Sequence, residues 1–479
     1  MKNSGKPMYQ WPGISAEYVT HIFFFLLALP LVFTVLLGLN MIAPPWIITA
    51  LVIVMFYFLA VHKWERRFAD YDSITFAKKL FFISLAARLA AVVILVSLAE
   101  LTWDRSFYVG AVDATRYYRV STEVSELLRN FEFARVIPHL LMEYEFHWDN
   151  IGVPLFLGTI FSFTTNSVVW AKIIIAIMGS LSVVYIYKTA DLYFESNISK
   201  LAGLLAALLP LSLFYDAVIL KEPFVVFFAS MVVYYASVIQ KQGKLNIKNI
   251  LLIVLPLAAI FLVRTAAGAV LVMALAGFFM LNRVKGTPIV SWATGMVITG
   301  LFIYLIGTFS DTWYFIERIE GGAEVGEARI AAVEGRTAWQ NLGIGPLFLI
   351  ISHFAPFPAV VELNPVWGHD ATYYWIAGII IWNLLSIYAI LGIWEMIKRQ
   401  PMETMMIWGF TVGLTLVLGI TAMFTQVRQS WVVMPLMMIP AAVGLVRYKQ
   451  KYIMLASLGS AFALVILWNL FRAMGRGVL

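Results

Sequence analysis

The residues best suited to acid–base chemistry lie in a polar stretch between two hydrophobic blocks, at 101–150. Its core runs from Gly110 to Arg119, with Asp113 near its centre and Tyr117 four residues later. A carboxylate held in such a loop can accept the proton of a hydroxyl group, so Asp113 is a candidate general base. The same aspartate could instead cap the helix that would start just after it. The pattern alone leaves both interpretations open.

Three cations at the ends of apolar runs form a second group. Lys221 stands beside Glu222 and Pro223 between two such runs. Arg264 interrupts another apolar run, and Arg428 lies just after the end of a third. A guanidinium matches phosphate oxygens at two points, so both arginines are candidates for binding phosphate or pyrophosphate. Lys221 could bind a lipid phosphate, and Glu222 could orient a hydroxyl or a basic side chain. Snorkelling explains the arginines equally simply, and a surface ion pair or a helix start explains Lys221 and Glu222.

The histidines give no metal-binding pattern. His353, His369 and Asp370 fall in one polar segment, and His147 and Asp149 in another, but neither set has the spacing of a metal site. We therefore assign no metal ligand from the sequence, and the sequence does not exclude a divalent metal as cofactor.

Composition places the chain in a membrane. Of 479 residues, 61% are hydrophobic and 13% are charged, and the mean hydropathy is +0.85. A soluble domain has about twice that charged fraction. The chain has no cysteine, which excludes disulfides and thiolate metal sites. Its net charge of +7 is typical of cytoplasmic Lys/Arg loops, so no nucleic-acid partner is predicted.

Long apolar runs predict an all-α polytopic membrane protein with a single transmembrane domain over residues 1–479 and about thirteen spanning helices. The predicted spans are 21–39, 46–61, 80–101, 168–187, 201–220, 224–239, 250–263, 266–281, 290–309, 373–394, 404–424, 431–445 and 452–470. Basic loops should face the cytoplasm. This rule puts the basic loop at 62–79 inside and Asp113 outside.

Two long segments are then expected on the outer face, at 102–165 and 310–372. In the first, residues 121–143 have helical apolar spacing with charges between, which predicts an amphipathic helix on the membrane surface. Residues 151–163 are apolar but too short to span. Charges at span ends default to function. Their concentration on one face, together with Asp113, Arg264 and Arg428, predicts one outward-facing site.

This arrangement resembles the GT-C superfamily of integral-membrane glycosyltransferases, which use polyprenyl-phosphate-linked sugars. Most of the chain shares the architecture, with its early outer loop and a second outer segment late. At the level of residues, an acid with a nearby tyrosine in the first loop is matched by Asp113 and Tyr117. Further similarities lie in Pro210 before Lys221 and Glu222, in Pro356-Phe357-Pro358, and in Arg428 before Pro435. Asp113 is a lone acid where several subfamilies have a pair, and no large soluble C-terminal domain is expected.

The resemblance implies an inverting transfer at the anomeric carbon. Asp113 would deprotonate the acceptor hydroxyl, while Arg264, Arg428 and Lys221 would hold the polyprenyl-phosphate leaving group. The residues expected to orient the substrates are Glu222, Arg116, Tyr117 and His369. The partners implied are a polyprenyl-phosphate-linked sugar, a lipid, glycan or protein acceptor, and membrane lipids. The expected location is a prokaryotic cytoplasmic membrane, with the active site facing outward.

Two other functions fit the same pattern. A polysaccharide polymerase or ligase also places arginines and acids in outer loops, but it would use polyprenyl-diphosphate glycans. A transporter or flippase is disfavoured because the sequence shows no internal repeat, and most charges lie at the outer boundary rather than at mid-membrane.

Overall fold

The protein is built from helices. The computed structural model describes residues 16–31, 44–103, 107, 112–243, 246–281, 352–355, 369–420 and 427–474, and these residues contain no strand. The helices are α1 (Ala16–Leu31), α2 (Pro44–Arg67), α3 (Ser73–Trp103), α4 (Val112–Arg129), α5 (Phe133–Glu143), α6 (Gly152–Phe163), α7 (Val168–Tyr193), α8 (Ser196–Leu208), α9 (Pro210–Tyr215), α10 (Glu222–Gln242), α11 (Ile247–Val263), α12 (Thr265–Leu281), α13 (His369–Arg399), α14 (Met405–Ile420), α15 (Val427–Trp431), α16 (Met434–Arg447) and α17 (Lys451–Met474).

Six of the described helices are long and apolar enough to cross a bilayer, which confirms the membrane class. These segments are Ile48–Arg67, Ser73–Leu101, Val168–Tyr193, Glu222–Gln242, Trp375–Arg399 and Lys451–Leu470. Shorter apolar helices accompany them, among them α11, α12 and α14. The expected number of about thirteen spans stays a prediction, since the span at 290–309 and nearly all of the outer segment 310–372 lie outside the described residues.

One predicted span is broken. Residues 201–220 were expected to form a continuous helix, but α8 ends at Leu208 and the six-residue α9 begins at Pro210. Proline has no N–H to continue the backbone hydrogen bonds of the helix, and its ring clashes with the preceding turn. After α9 the chain leaves helical geometry until α10 begins at Glu222. A second break occurs at Arg264, which is extended (φ −161°) between α11 and α12.

The first outer loop folds as two helices where one amphipathic helix was predicted over 121–143. Helix α4 starts earlier, at Val112, and ends at Arg129, after which α5 takes over. Phe131 in the connecting turn has a positive φ of 59°, a left-handed conformation that stops a helix. A short 3₁₀ turn at Trp148–Asn150 then leads to α6, which has 12 residues, as its short apolar sequence predicted.

Close helix packing fixes the scaffold behind this loop. Helices α13 and α16 approach so closely that a Cβ at Gly392 would meet the Pro440 carbonyl, and one at Gly444 the Tyr388 carbonyl. Small residues let membrane helices pack at this distance. The α13–α16 contact therefore depends on both glycines.

A buried ion pair ties α3 to the chain just after α9. Arg88 Nε lies 2.8 Å from Asp216 Oδ2, and both side chains are almost wholly buried. The guanidinium also donates to Ser84 Oγ and to the Ala207 carbonyl.

Candidate functional site

Four charged residues from distant parts of the chain meet where helices begin or break. Asp113 lies in the first turn of α4, and Glu222 is the first residue of α10. Arg264 occupies the break between α11 and α12, and Arg428 lies in the short α15. Acids are favoured in the first turn of a helix because its exposed N–H groups carry partial positive charge. Because Asp113 follows Val112 inside the helix, it is not the residue that caps α4.

The four side chains form an alternating chain of ion pairs. Asp113 Oδ2 pairs with Arg428 Nη1, although the two residues are 315 positions apart. Arg428 Nε lies 3.8 Å from Glu222 Oε1, and Arg264 Nη1 lies 3.5 Å from the same oxygen. Two carboxylates and two guanidiniums therefore balance one another. We call these four residues the charge chain.

Burial divides the charge chain into a deep end and an open end. The Glu222 side chain is 0% exposed and that of Arg264 18%, whereas Arg428 is 36% and Asp113 48% exposed. Burial by itself would lower the pKa of Arg428, but Glu222 and Asp113 more than reverse this, so its pKa is raised. The Arg428 guanidinium is thus held firmly in its charged form.

One polar atom of the deep end has no hydrogen-bond partner among the described residues. It is Glu222 Oε2, which is fully buried. Buried polar atoms are normally paired, because desolvation without a compensating bond costs about 1–3 kcal/mol. Within the described ranges, the second carboxylate oxygen of Glu222 is therefore an acceptor without a donor.

Tyr117 is buried against the charge chain from α4. Its pKa is raised, first by burial and then by the negative charges of Glu222 and Asp113. Its ring lies 6.0 Å, centroid to centroid, from the ring of Tyr144. The structure thus brings Tyr117 to Asp113, as the sequence suggested, and keeps its phenol protonated.

Lys221 is held beside the charge chain but points to a different partner. Its Nζ donates to Asn150 Oδ1 at 2.9 Å, which ties the start of α10 to the 3₁₀ turn of the outer loop. Asp149 in the same turn is buried and adds a favourable charge near Arg264. Asn150 and Asp149 were not assigned a role from the sequence.

The predicted orienting residues separate into two groups. Glu222 and Tyr117 lie at the charge chain. Arg116 instead donates to the Glu143 carbonyl and stacks over the Tyr144 ring, with Cζ 4.6 Å from the centroid. His369 starts α13, but its side chain lies outside the described part of the structure. Arg116 therefore braces α4 against the end of α5.

His353 is part of the helix packing. It is buried, with Nε2 3.0 Å from the Ser386 carbonyl oxygen and its ring beside Trp382. Its partners are a backbone carbonyl and aromatic rings, which hold α13 in place.

A group that could bind a divalent cation lies between α4 and α5 and shares no residue with the charge chain. Within the described ranges, the ligand atoms of Glu123, His139 and Glu143 lie within 4.8 Å of one another. Arg119 already pairs with both carboxylates, at 2.6 Å to Glu123 and 2.7 Å to Glu143. The sequence gave no sign of this group, since its members come from two helices that were predicted as one.

Comparison of the chain with protein-family models, with curated proteins and with solved structures finds no match.

Proposed function

We propose that this chain is an integral-membrane glycosyltransferase of the GT-C type. It would transfer a sugar from a polyprenyl-phosphate donor to a hydroxyl of a lipid, glycan or protein acceptor. The reaction would take place on the outer face of a prokaryotic cytoplasmic membrane. The observation that carries the proposal is the meeting of Asp113 with Arg428, Glu222 and Arg264 at the helix breaks.

The proposed reaction needs a base, an electrostatic clamp and no covalent intermediate. Asp113 takes the proton of the acceptor hydroxyl as that oxygen attacks the anomeric carbon. The bond between this carbon and the phosphate oxygen breaks, so the configuration inverts and polyprenyl phosphate leaves. The arginines stabilise the negative charge that develops on the phosphate, and donors fixed in advance are the most effective for this. The proton remains on Asp113 until solvent removes it.

The shape of the charge chain suits a donor with an apolar tail and an anionic head. Arg264 and Arg428 present two forked groups on either side of Glu222, and Lys221 lies next to Glu222 in the chain. The helices around them belong to a membrane protein, so the lipid tail can remain in the bilayer while the phosphate reaches the cations. Glu222 Oε2 would accept a hydrogen bond from a sugar hydroxyl.

The test is a transfer assay with purified protein in nanodiscs. Donors would be a panel of polyprenyl-monophosphate sugars, with a matched panel of polyprenyl-diphosphate glycans, and the readout is release of the lipid phosphate. We expect release from a monophosphate donor. Asp113→Asn should lower the rate by about 10²–10⁴-fold, the usual contribution of a general base.

The matched control for this substitution is Glu126→Gln. Glu126 lies exposed on the same helix and is not part of the charge chain, so this variant should keep the wild-type rate. Unchanged transfer in Asp113→Asn would contradict the role of Asp113 as base. Release from diphosphate donors alone would move the protein to the polymerase or ligase class.

A further inference from the structure

Arg428, which is proposed to hold the donor phosphate, is paired with Asp113, which is proposed to act as the base. Arg428 Nη1 bonds Asp113 Oδ2. An oxygen held by a guanidinium is not at the same time presented to the hydroxyl of an acceptor. In this arrangement the candidate phosphate-binding group and the candidate base therefore engage each other.

The two carboxylates that contact Arg428 differ in their freedom to leave it. Glu222 is fully buried and also contacts Arg264, so its displacement would leave buried positive charge uncompensated. Asp113 is 48% exposed and contacts Arg428 from the first turn of α4. Exposed ion pairs contribute little net free energy, with typical values of about 0–1 kcal/mol. Of the two, Asp113 is the partner that an incoming anion can replace.

We propose that the donor phosphate binds by displacing Asp113 from Arg428, and that this exchange frees Asp113 to act as the base. Glu222 is the positioning residue that stays in place and holds Arg264 and Arg428 for the phosphate. This inference rests on the proposed function, because it assigns the order of events at that same site. Donor binding comes first, and proton removal from the acceptor becomes possible only afterwards.

Such an exchange keeps a counter-charge on Arg428 throughout. A phosphate monoanion would replace one carboxylate on Arg428, so the guanidinium is never left without a counter-charge. It also keeps the base masked while the site lacks a donor. Water or an acceptor that enters first would meet a carboxylate already bound to Arg428.

A binding measurement tests the exchange without any turnover. Farnesyl phosphate, a short polyprenyl monophosphate, is titrated into the wild type and Asp113→Asn in nanodiscs by calorimetry. The asparagine variant removes the competing carboxylate from Arg428 and keeps the size of the side chain. We expect it to bind farnesyl phosphate about fivefold to tenfold more tightly than the wild type, at one unchanged ionic strength.

Two further measurements separate exchange from a general charge effect. Glu143→Gln removes a carboxylate that pairs with Arg119 instead, and it should leave the affinity unchanged. The gain from Asp113→Asn should also disappear in an Arg428→Gln background, as a double-mutant cycle for two coupled residues requires, and it should remain in Arg428→Lys, whose ammonium can still pair with either anion. Because Arg428→Lys keeps a positive charge beside Glu222, it provides a second variant for the comparison. The result therefore does not depend on Arg428→Gln alone if that variant folds weakly.

The results of these measurements test the exchange at Arg428 and the proposed glycosyltransferase function separately. Equal or weaker binding by Asp113→Asn, or a gain that persists in the Arg428→Gln background, overturns the exchange. A gain that depends on Arg428, found in a protein that transfers no sugar, supports the exchange and overturns the glycosyltransferase. Absence of farnesyl phosphate binding in every variant overturns both.

Discussion

Arg264 and Arg428 share a single carboxylate oxygen, Glu222 Oε1, which lies 3.5 Å from Arg264 Nη1 and 3.8 Å from Arg428 Nε. The three residues come from separate helix ends, and Glu222 is the only one of them with no exposed side-chain surface. Both distances are longer than those of tight hydrogen-bonded pairs. The carboxylate thus serves as a central counter-charge that both guanidiniums share.

Glu222→Gln is expected to destabilise the protein while increasing its response to a phosphate ligand. The substitution leaves Arg264 and Arg428 without their shared counter-charge, and uncompensated buried charge costs about 3–5 kcal/mol. A bound phosphate would restore part of the balance, so farnesyl phosphate should raise the apparent melting temperature of the variant more than that of the wild type. Thermal unfolding in detergent, with and without the ligand, measures both effects. Wild-type stability in Glu222→Gln would show that the arginines do not depend on Glu222.

Arg264→Lys should weaken donor binding more than it lowers the rate of sugar transfer from a bound donor. Lysine keeps the charge but replaces the planar fork by a single ammonium, which cannot bond two phosphate oxygens in the same fixed geometry. We expect the apparent KM for the donor to rise about tenfold and kcat to change by less. This is the result expected when the lost interaction is present in both the bound ground state and the transition state. Steady-state kinetics with a polyprenyl-phosphate sugar provide the measurement. Lys248→Arg, on the same helix as the Arg264 break, is a suitable control. A fall in kcat with an unchanged KM would assign Arg264 to the transition state alone.

The sequence predicted the components of this site but not their pairing. Charged residues at the ends of apolar runs are costly unless they have a function, so the charges on the outer face, among them Asp113, Arg264 and Arg428, were expected to share one site. Which acid meets which arginine depends on the packing of helices that are far apart in the chain. No local pattern links Asp113 to a residue 315 positions away.

The same limit explains two departures in the fold. Apolar composition over 201–220 outweighed the single proline that ends α8, so one continuous helix was predicted. In the first outer loop, helical spacing continued across Phe131, whose left-handed backbone becomes visible only in the structure. Arg116 was expected to orient the substrates, whereas tertiary packing directs it to the Glu143 carbonyl and the Tyr144 ring.

Arg88→Met should strongly destabilise the membrane domain, and a second substitution should restore much of the loss. Removing Arg88 leaves Asp216 buried without its guanidinium, which costs about 3–5 kcal/mol, whereas replacing both partners by apolar residues is often close to neutral. The Arg88→Met/Asp216→Leu double variant should therefore unfold at a higher temperature than Arg88→Met alone. Equal melting temperatures for the single variant and the wild type would mean that the ion pair adds nothing to stability.

Acid should loosen α5 from α4 through Glu143. The Arg119 hydrogen bond lowers the pKa of Glu143 from its ordinary 4.5. A lowered folded-state pKa stabilises the fold above the unfolded value, and this stabilisation is lost as the pH falls through the lower value. The loss should be small, about 0.5–1 kcal/mol, because Arg119 is half exposed.

The chain has no cysteine, so a spin label on Glu126→Cys reports α4 alone. Label mobility should rise between pH 5 and pH 3. Glu123 and His139 belong to the same cluster of side chains as Arg119 and Glu143, so Arg119→Gln is the necessary comparison. The rise should be smaller in that variant. An equal rise with and without Arg119 would assign the acid response to other groups.

Gly392→Ala should separate α13 from α16, while Gly459→Ala should not disturb α17. A Cβ at Gly392 meets the backbone carbonyl of Pro440, which cannot rotate away as a side chain could, so one of the two helices must shift. Overpacking of this kind costs about 1–3 kcal/mol. At Gly459 a Cβ would meet nothing within 4 Å, and alanine favours a helix over glycine by about 1 kcal/mol. Melting temperatures in detergent should fall for Gly392→Ala and hold or rise for Gly459→Ala. A stable Gly392→Ala variant would show that the two helices can move apart without loss.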